Sequence, residues 1–221
     1  MKIFEKQGYH LLCLGFLLLG VYLIARDDFL QGSFLGVSTK TWFWLSIFLP
    51  VIHQVYVVIF WRAELHYQRL TAWFGERAFS YWAAGFMVLI LSRPILVIGL
   101  AIANRGTFPI PAWAGIILSV LCLLPSLYTG FSVKQYFGID RALGMDHFQP
   151  EIYREKPLIK KGIFIWSSNA MYLYGFLLLW MPGFLLLSKA GLLSALFSHL
   201  YIWVHYYFTE FPDMEHIYRA K

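Results

Sequence analysis

Apolar and polar positions alternate along this chain in long blocks. Apolar runs cover about residues 11–25, 42–61, 81–103 and 112–131, and short polar or glycine-bearing connectors separate them. Runs approaching twenty apolar residues predict membrane-spanning helices. A longer mixed-charge segment, 132–166, follows. Its aromatic and apolar content predicts an ordered structure, and a segment of that length in a compact protein tends to be functional. The chain then returns to two shorter apolar runs, 171–187 and 192–208, separated by Ser188-Lys189-Ala190-Gly191. Each is near the lower length limit for spanning, so this hairpin crosses a thinned region or sits tilted.

Polar residues inside the runs stand out because a bilayer penalises them. His53 and Gln54 fall in the second run, and the reading for His53 is an interhelical hydrogen bond. Ser92-Arg93-Pro94 interrupts the third run, where Arg93 either snorkels or is buried against a carboxylate. Pro125 is expected to bend the fourth. Residues 62–80 read as an amphipathic helix at the membrane surface, with Arg62, His66 and Arg69 on one face. His199 and His205 do not share a helical face, which argues against a metal pair, and no metal is expected.

Composition agrees. Of 221 residues 59% are hydrophobic and only 14% charged, against about 25% charged in soluble domains. The expected fold is an all-α polytopic bundle of about six helices in one membrane domain: an extra N-terminal span in 1–44 and a core in 45–221. Lys2 and Lys6 before the first run give it a signal-peptide look, but an uncleaved first span is the better reading because no clear cleavage site follows. Cys13 and Cys122 lie in apolar runs and read as packing residues. The net charge of +6 suits anionic lipid. No basic stripe free of membrane segments exists to hold nucleic acid. With the N-terminus in the cytoplasm, Lys2, Lys6, Arg62, Arg69, Arg77, six bases in 132–166, Arg219 and Lys221 lie inside. Only Arg26, Lys40, Arg105 and Lys189 lie outside.

That orientation gathers the candidate chemistry on the cytoplasmic side. A polar knot, Ser167-Ser168-Asn169-Ala170-Met171-Tyr172, precedes the hairpin, and an acidic cluster, Thr209-Glu210-Phe211-Pro212-Asp213-Met214-Glu215, follows it. A helix starting after Asn169 would offer free N–H groups to a carboxylate, or Asn169 would simply cap it. Glu210 suits an ammonium or hydroxyl partner, and Tyr172 suits stacking on a ring or a sulfonium. Walker A, G-x-G-x-x-G, H-E-x-x-H and G-x-S-x-G signatures are absent from the sequence.

Three blocks in order make the chain resemble the integral-membrane phospholipid methyltransferases, in particular phosphatidylethanolamine N-methyltransferases, with isoprenylcysteine carboxyl methyltransferases more distant. They are Arg62-x-Glu64 with Leu70 and Phe74-Gly75; Tyr136-Phe137-Gly138-Ile139; and Asn169-Ala170-Met171-Tyr172 with Gly175, Glu210 and Glu215-His216-Ile217-Tyr218-Arg219. The resemblance implies an S-adenosylmethionine-dependent methyltransferase with a lipid-like acceptor entering from the bilayer. It implies cofactor contacts at Asn169, Met171, Tyr172 and Glu210, and at Gly115 in a small-residue pattern that appears here as Trp113-Ala114-Gly115. Glu64 and Tyr136 are implied near the acceptor headgroup, so Glu64, Tyr136 and Glu210 are the catalytic candidates. The chain departs from the family pattern where Gln135 replaces an aspartate, Ala170 a proline and Thr209 the first of two glutamates. Thr209, Ala170 and the bulky Trp113 suit an alternative, a non-catalytic relative that assembles with other membrane subunits. A third reading, a sterol-reductase-like enzyme, needs a dinucleotide, and few bases are expected near the knot to hold its phosphates.

Overall fold

The computed structural model describes residues 2–219, with the side chain of Arg219 and all of Lys221 outside the described set. It is a helical bundle. Four helical segments, Lys2–Ile24, Thr39–Tyr67, Arg69–Ala103 and Ala112–Phe137, are long and apolar enough to cross a membrane, and the protein is an integral membrane protein. The six-helix expectation is therefore met by four long helical segments and a shorter C-terminal pair.

Helix α1 (Gln7–Ile24) leads to a two-stranded hairpin, β1 (Ser33–Phe34) and β2 (Val37–Ser38), paired antiparallel. Ser38 then caps α2 (Thr39–Tyr67) by accepting a hydrogen bond from Thr41 N–H at 3.2 Å. The amphipathic segment is not a separate surface helix. α2 runs unbroken through Arg62 to Tyr67, turns at left-handed Gln68, and gives way to the short α3 (Arg69–Phe74). Arg62 is only 1% exposed, because hydrogen-bond acceptors for its guanidinium are gathered from three other segments, as set out below.

α4 (Ala78–Ala103) also continues through Pro94, so Ser92-Arg93-Pro94 does not interrupt it. Arg93 neither snorkels nor meets a carboxylate. It is 3% exposed, its guanidinium lies 5.0 Å from the Phe176 ring centroid, and its nitrogens have no hydrogen-bond partner among the described residues. His53 likewise lacks an interhelical hydrogen bond there; its ring packs edge-on against Phe86, with centroids 4.7 Å apart. Leu14, Phe43, Ile47, Leu100, Phe197 and Tyr201 form the central core where α1, α2, α4 and a C-terminal helix, Lys189–His205, meet.

α5 (Ala112–Ser132) ends in a π-helical turn, Val133–Phe137. The long segment is ordered into α6 (Ile139–Ala142), α7 (Met145–Phe148) and α8 (Pro150–Arg154). The first arm of the predicted hairpin is not one α-helix. It divides into α9 (Ala170–Leu173), a 3₁₀ stretch (Gly175–Leu179) and α10 (Met181–Leu185). Gly175 and Gly183 weaken the helix, and Pro182 restarts it as a first-turn residue. α11 (Lys189–His205), capped by Ser188, passes through a second π-helical turn (Tyr206–Glu210) into α12 (Phe211–Arg219).

Candidate active site

One end of the bundle brings α2, α6–α9, the second π-helical turn and α12 around a cavity of about 510 Å³. Small-molecule sites span roughly 300–1,000 Å³. Asn169, Met171, Tyr172 and Glu210, far apart in sequence, share its wall. The Tyr172 hydroxyl donates to Glu210 Oε2. Phe176, Trp203 and Tyr206 surround the Tyr172 ring at centroid distances of 5.9–6.2 Å. Burial among these rings pushes the Glu210 carboxyl up to about 7, against the opposing hydrogen bond from Tyr172. Asn169 occupies the position before α9, but its side chain makes no capping bond, and its carbonyl accepts from Tyr172 and Leu173 N–H at 3.0 Å.

Beneath the cavity lies a buried charged chain. Arg62 Nε donates to both Asp213 carboxylate oxygens at 2.9 and 3.2 Å. Asp213 Oδ2 is 3.6 Å from His147 Nε2, and His147 Nδ1 is 2.9 Å from Asp146 Oδ1. The Tyr218 hydroxyl donates to Asp146 Oδ2 at 3.0 Å and accepts from Arg141 at 3.1 Å. The His147 ring stacks on Trp61, with centroids 4.1 Å apart. Burial opposes the imidazolium, yet Asp146 and Asp213 on either side raise it to about 9. Burial likewise opposes Asp146 ionisation, and the hydrogen bonds from His147 and Tyr218 hold its carboxyl below the ordinary value. Placed between two carboxylates, His147 favours its imidazolium form and is poorly suited to accepting a proton. Asp146 and His147 did not stand out as site residues in the sequence, and Asp213 stood out only as a member of the acidic cluster. The available signal was the adjacent Asp146-His147 pair in a segment too long to be a simple connector.

The other site candidates lie elsewhere. Glu64 is buried under α3, where its carboxylate accepts from Leu70 N–H at 2.8 Å, Thr71 N–H at 3.0 Å and the Thr71 hydroxyl. It works there as a helix-start acceptor rather than as a cavity wall. Tyr136 is 37% exposed and packs against Gly162 outside the cavity lining. Gly115 sits near the opposite end of α5, where a Cβ would lie 2.6 Å from both Leu187 Cδ2 and the Phe184 carbonyl oxygen. Its smallness serves the packing of α5 on α10. Trp113, 66% exposed, is remote from the cavity for the same reason.

The expectation of few bases near the knot is not met, since Arg141, Arg154 and Lys156 line the cavity beside Asn169. Each is already engaged: Arg141 with Tyr218, Arg154 with Glu151 at 3.0 Å, and Lys156 over the Tyr153 ring at 3.9 Å.

No curated protein matches the chain, and no solved structure does. The family model described as phospholipid methyltransferase matches residues 114–221, a stretch that holds every cavity residue except Trp61. By that match, the part of the chain that builds the cavity is similar to the phospholipid methyltransferases.

Proposed function

We propose that the protein is an S-adenosylmethionine-dependent methyltransferase acting at the cytoplasmic face on a membrane-embedded, lipid-like acceptor. The observation that carries this reading is the meeting of Asn169, Met171, Tyr172 and Glu210 in one cavity wall at a membrane-proximal end of the bundle. The wall fits the cofactor's chemistry: Glu210 matches its ammonium or sulfonium, and the Tyr172–Tyr206 aromatic wall offers π-faces to a cation or a ring. The Trp61 indole Nε1–H, buried beside Gly144 at the edge of the same wall, has no hydrogen-bond partner among the described residues.

S-adenosylmethionine supplies an already activated methyl group, so the protein's own task is alignment and exclusion of water. Tyr172 fixes the Glu210 carboxylate, and the surrounding rings keep water from it. His147, held protonated, fixes the floor instead of acting as a base. A direct test incubates the purified protein with S-adenosylmethionine carrying a labelled methyl group and vesicles containing phosphatidylethanolamine. Label in the lipid, lost in Glu210→Gln, supports the proposal; unlabelled lipid of every amine- and carboxylate-bearing class tried overturns it.

One observation favours the non-catalytic alternative. Thr209, at the place of the family's first glutamate, is fully buried and turned towards Gln7, its hydroxyl accepting from Gln7 Nε2 at 3.2 Å. Only one carboxylate of the expected pair then reaches the cavity. A folded protein that binds neither S-adenosylmethionine nor S-adenosylhomocysteine, and purifies with membrane subunits, would establish that alternative.

A further inference from the structure

The N-terminal helix lies outside the matched stretch, yet it reaches the segment that carries Glu210. The reason begins with Pro212. In a regular helix the carbonyl of Phe208 would accept from the N–H of residue 212, and proline has none. The chain answers with the π-helical turn Tyr206–Glu210, closed by Phe211 N–H bonding to Tyr206 O. Such turns leave backbone acceptors that need other donors. Here two side chains supply them. Gln7 Nε2 donates to Phe208 O at 3.0 Å, and Arg62 donates to Phe208 O at 3.3 Å and Thr209 O at 3.2 Å. Arg62 also holds Ile3 O and Glu5 O at 3.1 and 2.7 Å, so one guanidinium ties the N-terminal turn, α2, the π-helical turn and α12 together.

We propose that Gln7 and Arg62 are positioning residues for Glu210, holding open the π-helical turn whose extra residue aims that carboxylate at Tyr172. One inserted residue re-phases a helix by about 100°. Relaxing the turn would therefore swing Glu210 off Tyr172 while α11 stays in place. The importance of Glu210 rests on the proposed function, but its placement by this turn does not. The first helix is then part of the site rather than an added anchor, and the stacking of Tyr9 on Phe208, centroids 6.0 Å apart, belongs to the same contact.

The test reads the Glu210 carboxyl directly, by infrared difference titration of the full chain in detergent with Glu210→Gln as the assignment control. The charged and titratable groups around it are Tyr172, Asp146, His147 and Asp213. Wild type is expected to titrate at about 7. Gln7→Leu keeps the side-chain bulk, removes the donor and leaves the Arg62–Asp213 pair intact. It is expected to move the titration at least half a unit away from the wild-type value, because the Tyr172 hydrogen bond that holds the carboxyl down is lost. Pro212→Ala, which restores the backbone donor that lets Phe208 O re-enter a regular helix, removes the reason for the π-helical turn and is expected to move the titration in the same direction as Gln7→Leu. Arg62→Lys, which retains the charge but cannot span the same carbonyls, should shift it in the same direction as Gln7→Leu. An unmoved titration in folded Gln7→Leu, or in folded Pro212→Ala, overturns the proposal. Because no methyl donor is present, these shifts would stand even if S-adenosylmethionine failed to bind, so the two readings fail separately.

Discussion

Replacing Asp213 with asparagine tests the buried charged chain most severely. Asp213 is 3% exposed and Arg62 1%, so neither partner can turn to water when the other loses its charge. Breaking a buried pair from one side typically costs about 3–5 kcal/mol. Arg62 keeps carbonyl acceptors at Ile3, Glu5, Phe208 and Thr209, which softens its loss and points to the lower end, about 3 kcal/mol. Against that, His147 loses one of the two carboxylates that keep it protonated. For a chain of this size, about 3 kcal/mol corresponds to a fall of roughly 6–12 °C in the unfolding midpoint. The assay is a thermal scan of intrinsic tryptophan fluorescence in detergent at pH 6.5, where the bridge is fully formed. Arg62→Met with Asp213→Leu together should sit closer to wild type than either change alone, because no charge is then left stranded. A midpoint within 2 °C of wild type for Asp213→Asn would refute the reasoning, as would strict additivity in the double variant.

The remaining predictions concern protons, burial and packing. His147 is raised from 6.5 to about 9, so its contribution is complete below 6.5 and disappears as pH climbs through about 9. That rise corresponds to about 3 kcal/mol, and thermal midpoints should fall across the interval in wild type but stay flat in His147→Phe. Arg93→Met should raise the midpoint by several degrees, since it removes a buried guanidinium that lacks hydrogen-bond partners among the described residues; a drop would reveal a partner for it. Gly115→Val should cost about 1–3 kcal/mol through overpacking against Leu187 and Phe184, with ligand affinity unchanged because the cavity is at the other end of α5. A calorimetric titration showing weakened ligand binding in that variant would place Gly115 in the site.

Much of the fold was legible because bilayer-length apolar runs leave few alternatives. The spans and the ordered long segment could be read from the block pattern, and the polar knot and acidic cluster from their positions at run ends. The errors share a physical source. Pro94 and Arg62 were read by local rules, a helix-breaking proline and an amphipathic face. Tertiary packing carries α4 through the first and buries the second. The hairpin's first arm fails as an α-helix because its glycines and Pro182 act within so short a run. Arg62 and Asp213 are 151 residues apart, and periodicity holds no information on such a pair. Glu64 shows how a motif residue can also carry local structure. Its position matched a family block, while its carboxylate is spent on the backbone of α3.

The central claim is that the Tyr172–Glu210 wall holds S-adenosylmethionine, and calorimetric titration of the full chain in detergent tests it most directly. S-adenosylmethionine and S-adenosylhomocysteine should both bind in the micromolar range, about −8 kcal/mol. Glu210→Gln and Tyr172→Phe should each weaken binding at least tenfold without lowering the unfolding midpoint. Equal affinity in wild type and both variants, or no binding to a folded wild type, would contradict the account.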